Sequence, residues 1–185
     1  MKGKKHMKDE LKEMDLYSLK EIFNNDTELY IAVKLAFEEL YLHDIYLIKN
    51  VPLAEYKSDE KQLGKHYVGE RAVVFRFAHY LQSEISKIKK YSHYDLDCEY
   101  NRNLSEPKLL PSFVNGVFPD MIIHKRATNQ NNLLVMEFKT YWNNSKVKIA
   151  SDLMKINEFK NEPYNYKYGA VVMIGETIDK LRFII

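Results

Sequence analysis

Two carboxylates and an ammonium group interrupt apolar stretches of this chain: Asp120 in "GVFPDMIIHKR", and Glu137 with Lys139 in "NLLVMEFKT". An unpaired charge on a buried strand is expensive, so something must be gained by it. A hairpin turning within "RATNQNN", centred between Thr128 and Asn129, sets His124 opposite Leu133, Ile122 opposite Val135 and Asp120 opposite Glu137. Cross-strand partners have Cβ atoms roughly 4.5–5.5 Å apart. Two carboxylates so placed repel each other unless a cation lies between them. Side chains alternate along a strand, so Glu137 and Lys139 share a face while Phe138 points away. Carboxylate oxygens with open water positions suit Mg²⁺ or Mn²⁺. A lysine beside them can hold a phosphate or help activate water. This is the equipment for metal-assisted phosphodiester hydrolysis. The same residues also fit a surface ion network with Lys125, which would contribute little energy.

The elements that must position this group follow from periodicity. Helices are expected over 8–24 and 27–43, the second capped by Asp26 or Thr27, with Leu29, Val33, Ala36, Phe37 and Leu40 on one stripe. The piece 44–50 reads as strand or loop, and Pro52 with "EYKSDEKQ" as a joint between subdomains. A third helix over about 65–89 carries Val73, Val74, Phe77, Leu81, Ile85 and Ile88 on one stripe. Glu70 lies on that stripe, and serves either the carboxylate group or the helix dipole. In "DLDCEYN", Leu96, Cys98 and Tyr100 alternate with Asp95, Asp97 and Glu99, as on a strand. Residues 103–118 form a connection; strands follow at 119–125 and 133–139, a helix near 146–160, and strands at 168–175 and in "LRFII". The crossover after Lys139 makes strand 168–175 parallel to strand 133–139. The fold class is therefore α/β or mixed α+β, a central mixed sheet flanked by helices.

Pro119-Asp120, then Glu137-Phe138-Lys139, with a glutamate on a preceding helix, resembles the PD-(D/E)XK nuclease superfamily of restriction-endonuclease-like fold. The blocks "GERAVVFRFAHYLQ", "DLDCEYNR", "FPDMIIHKR" and "NLLVMEFK" are similar, in order, to those of an uncharacterised bacterial group within it. The resemblance spans roughly 40–175 and implies a nuclease-like domain over 44–185 behind an N-terminal helical extension, 1–43. It implies that Asp120, Glu137 and Glu70 hold Mg²⁺ or Mn²⁺ with the backbone carbonyl of Phe138, and that Lys139 assists catalysis. The implied reaction is DNA hydrolysis by a metal-activated water. Cutting both strands usually takes two sites, which makes a homodimer one expected arrangement. A binding module on the same fold whose catalysis has lapsed is the alternative, and a hydrolase of small phosphate esters a remoter one.

Composition bounds these expectations. The chain has 185 residues, 45% hydrophobic and 29% charged, enough for one sizeable core. No run approaches a membrane span, and "MKGKKHMKDE" lacks the apolar segment of a secretion signal, so a cytoplasmic protein is expected. Cys98 is the sole cysteine, which excludes an internal disulfide and a Cys-rich zinc site. The net charge of +2 encourages nucleic-acid binding only slightly. Lysine clusters (Lys2, Lys4, Lys5, Lys8; Lys87, Lys89, Lys90; Lys146, Lys148, Lys155) read as solvated faces, though Lys155 could reach phosphate. The six histidines show no metal-binding spacing, and His124 is a turn residue or a neighbour of the carboxylates. Neither a Gly-rich phosphate loop nor G-x-S-x-G is present.

Overall fold

The computed structural model describes residues 12–24, 26–49 and 68–185. In chain order the elements are β1 (Glu13–Met14), α1 (Leu19–Ile22), α2 (Thr27–His43), α3 (Ile45–Ile48), α4 (Glu70–Ile85), β2 (Asp95–Cys98), β3 (Arg102–Asn103), β4 (Glu106–Pro107), β5 (Met121–His124), β6 (Leu134–Thr140), α5 (Lys146–Phe159), β7 (Tyr168–Ile174) and β8 (Arg182–Ile184). Six strands join one mixed sheet in the order β1-β8-β7-β6-β5-β2. Only β6 and β7 run parallel, as expected of strands joined through a crossover helix. All seven residues of β6 are buried, Glu137, Lys139 and Thr140 with the apolar ones: a central strand has both faces covered.

The faces separate cleanly along β6. Leu134, Met136 and Phe138 point into the larger core beneath α2 and α4, and Val135 points into the smaller core beneath α5. The larger core has an aromatic spine. Phe37 of α2 stacks on Phe77 of α4 at 4.1 Å, and Phe77 meets Phe138 of β6 at 5.4 Å. Each such ring contributes about 1.5–3 kcal/mol by leaving water. The Asp26 side chain caps α2 by accepting from the Leu29 N–H, and Ser145 caps α5 by accepting from Lys148. Helices α2, α4 and α5 and the paired strands β2, β5, β6, β7 and β8 thus form where periodicity puts them.

Other expectations need correction. The helix expected over 8–24 is, among its described residues, the short strand β1, a turn and the single-turn α1. Met14 pairs with Phe183 of β8, so a long-range ladder overrides local helix preference. The described part of segment 1–43 therefore contributes an edge strand to the sheet as well as α2 to the larger core. The piece 44–50 forms the helical turn α3 rather than strand or loop. Its preceding residue, Asp44, is buried and accepts hydrogen bonds from Arg76 (2.8 Å) and Tyr80 (2.6 Å) of α4, which fixes a tight bend there. Helix α4 stops at Ile85, earlier than expected, and a 3₁₀ turn takes up Lys89–Tyr91. The connection 103–118 contains most of the β3–β4 hairpin. The joint expected near Pro52 lies outside the described residues. On β2 the alternation holds through Cys98. Glu99 then takes a left-handed φ of 53°, and Tyr100 packs into the smaller core instead of following Leu96 and Cys98.

Candidate metal and hydrolysis site

The hairpin register has the expected offset: Met121 opposite Met136, Ile122 opposite Val135, Ile123 opposite Leu134. The same offset sets Asp120, one residue before β5, against Glu137. Asp120 Oδ2 accepts from the Phe138 N–H at 2.7 Å, pinning the carboxylate to the neighbouring strand. Glu137 and Lys139 share the face turned toward α5. Glu137 is 1% exposed, so the surface ion network with Lys125 is not what holds it. Lys139 Nζ donates to the Phe138 carbonyl at 2.7 Å, lies 2.7 Å from Asp152 Oδ2 and 3.6 Å from Glu70 Oε1.

Glu70 stands at the helix start and also reaches the carboxylate group. It occupies the first turn of α4, where the helix dipole favours an acid, and its Oε2 accepts from the Thr140 N–H at 3.2 Å. Two strands and two helices therefore converge here: β5 through the residue preceding it, β6, the start of α4 and the middle of α5.

Asp152 is a member that sequence reasoning missed. It is buried on α5 among Ile149, Leu153 and Ile156, and bonds Lys139 and Lys155, the latter at 2.9 Å. The signal was available: an aspartate inside an apolar helical stripe has the same anomaly as Glu137 inside a strand. Lys155 likewise departs from the solvated lysines, since its Nζ lies 3.4 Å from Glu137 Oε2.

Electrostatics define the group. Burial, then the Asp120 charge, push the Glu137 carboxyl well above its ordinary range, against the pull of Lys155. Asp120 is raised by burial, although the Phe138 N–H and Lys139 oppose the shift. Glu70 is raised by burial, with Lys139 opposing. Burial would lower the Lys139 ammonium, yet the hydrogen bond to Asp152 and the surrounding carboxylates raise it. Four carboxyl groups (Glu70, Asp120, Glu137, Asp152) share the cluster with two ammonium groups (Lys139, Lys155), so acids outnumber bases, and the upward shifts of Glu70, Asp120 and Glu137 express that crowding together with burial. Glu137 Oε1 is fully buried without a hydrogen-bond partner.

Carboxylate oxygens and a backbone carbonyl are the donor types that a divalent cation takes. Among the described residues no three His, Cys, Asp or Glu side chains form a ready-made metal shell. Asp120 and Glu137, with the Phe138 carbonyl, are the residues that could hold such an ion. A hollow of about 390 Å³, lined by Arg71, Glu99, Phe113, Phe118, Asp120 and Lys155 among others, opens the group to solvent.

The remaining polar residues settle elsewhere. His124 is buried and bonds Asp97 at 2.9 Å, while Arg126 also donates to Asp97, so these three tie β2 to β5 away from the carboxylate pair. Glu99 is held by Arg71 at 2.8 Å at the mouth of the hollow. Arg102 starts the β3–β4 hairpin. Lys108, which carried no expectation, is buried between the Tyr100 and Tyr164 rings and donates to the Arg102 carbonyl, securing the loop beside the site. Among the described residues no helix is long and apolar enough to cross a membrane. Comparison with protein-family models, with curated proteins and with solved structures finds no match to this chain.

Proposed function

We propose that this chain is a metal-dependent nuclease of restriction-endonuclease-like fold that hydrolyses DNA phosphodiester bonds, acting in the cytoplasm. One observation carries the reading: a buried cluster of four acids and two ammonium groups, built around a Glu137 oxygen that no donor reaches. The order α4-β2-β5-β6-α5-β7, with β6 and β7 parallel, supports the fold assignment. Asp120 and Glu137, with the Phe138 carbonyl, hold Mg²⁺ or Mn²⁺, and Glu70 adds negative charge at the edge. Bound there, the ion supplies an acidified water and neutralises charge on the phosphorus centre. The chain's own residues do the rest. Lys139 is aimed by Asp152 and Glu70, and its ammonium group stands ready for the attacking water and the developing oxyanion. Lys155 offsets the Glu137 charge and borders the hollow through which a phosphate arrives. A homodimer would offer one site to each strand of a duplex.

Lys139→Ala tests the chemistry. Cleavage should fall by at least about 100-fold while the far-ultraviolet spectrum stays that of the wild type. Full activity in that variant would sink the mechanism. The Lys139 ammonium, which already bonds the Phe138 carbonyl and pairs with Asp152, favours a second reading, a lapsed domain that binds DNA or a partner. Calorimetric titration separates the two: Mg²⁺ or Mn²⁺ affinity that disappears in Glu137→Gln belongs to the nuclease, and DNA binding with no metal affinity belongs to the module.

A further inference from the structure

The residues around the carboxylates say more about the substrate than the carboxylates do. A second hollow of about 190 Å³ adjoins the first, sharing Arg71, Glu99 and Asp120 with it and adding Val74, Phe75 and Cys98. An exposed aromatic side chain lines each hollow. Phe75 of α4 is 64% exposed in one hollow, and Phe118, two residues before Asp120, is 52% exposed in the other. Neither ring belongs to either core. Between them the Arg71 side chain is 84% exposed while its Nε holds Glu99, so much of its guanidinium remains open to solvent.

We propose that this cleft binds single-stranded nucleic acid, with unpaired bases stacked on Phe75 and Phe118 and a backbone phosphate drawn to Arg71. This rests on the nuclease reading and names its substrate class. Charge and shape both favour the single strand. Duplex binding is driven chiefly by many phosphate contacts, and the cations in this lining are Arg71 and Lys155, the second already engaged by Glu137 and Asp152. A net charge of +2 adds little further attraction. Base-on-aromatic stacking needs few charges but does need splayed bases, which a duplex hides within its own stack. Asp120 lines both hollows, so a strand stacked on both rings passes beside it.

Fluorescence anisotropy with a labelled fifteen-nucleotide oligothymidylate, and with the same oligomer annealed to its complement, tests this in EDTA, where hydrolysis is stopped. The single strand should bind at least about ten-fold more tightly than the duplex. Phe75→Ala and Phe118→Ala should each weaken single-strand binding by roughly five-fold or more, the loss of about 1 kcal/mol of stacking per base. Both side chains are exposed, so melting temperatures should not move. Equal affinity for the two oligomers, or variants that bind like wild type, overturns the cleft. Metal-dependent cleavage of the same single-stranded oligomer is scored separately. Cleavage with unaffected Phe variants removes the stacking cleft and keeps the nuclease; stacking without any cleavage keeps the cleft and removes the nuclease.

Discussion

Glu137 holds a carboxylate oxygen that no donor reaches, within a strand buried along its whole length, beside a second carboxylate at Asp120. Such a pair, if both are ionised, opposes folding unless a cation or a proton joins it. Glu137→Gln should therefore raise stability on the order of 1 kcal/mol in EDTA, despite the lost contact to Lys155, while abolishing cleavage. Thermal melting in EDTA checks this, and a loss of several kcal/mol would mean that the Lys155 pairing dominates. Asp97 has the opposite character. Burial alone would raise its carboxyl, but hydrogen bonds from His124 and Arg126 outweigh burial and hold it well below the ordinary carboxylate range. A depressed acid contributes stability that is present above its unfolded value, about 3.9, and is lost as pH falls below it. Melting curves should show a steep decline below about pH 4, flattened in Asp97→Asn. The carboxylate pair was legible because alternation on two strands leaves little freedom of register. Asp152 carried the same kind of signal, but an acid within a helical stripe tells nothing of its partner until the crossover helix is docked.

At the scale of elements, the site depends on how closely α5 lies against the sheet. Gly169 of β7 permits that approach: a Cβ there would come 2.7 Å from Ile156 Cγ2 of α5 and 3.3 Å from Val135 Cγ1. Gly169→Ala should displace α5, and with it Asp152 and Lys155, for a stability cost of roughly 1–3 kcal/mol. Activity should fall further than stability does, which melting and cleavage on the same preparation would reveal. On the opposite face Phe77→Ala removes the middle of the aromatic spine and should cost about 3–5 kcal/mol, read from denaturant unfolding. Amphipathic helices and buried strands were legible because their apolar spacing reports one dominant face. Strand β1 was not, since Met14 gains its partner from Phe183, at the other end of the chain. Nor was the end of alternation at Glu99, which a left-handed residue sets.

Across the whole molecule, three layers place one cluster where α4, α5 and the two strands of a hairpin meet. A cation bound to the folded chain alone must stabilise it, by about 2.7 kcal/mol at a hundred times its dissociation constant. Wild type should thus melt higher in Mg²⁺ than in EDTA, and Glu137→Gln should show no such difference. The measurement that bears most directly on the central claim is cleavage itself. Wild type and Asp120→Asn would be incubated side by side with supercoiled plasmid, linear duplex, single strand and a four-way junction in Mg²⁺ or Mn²⁺. Metal-dependent products from wild type, absent with Asp120→Asn and with EDTA, are the predicted result. Products of equal yield from both proteins would contradict it, and so would intact substrates throughout from a wild-type protein that binds the metal.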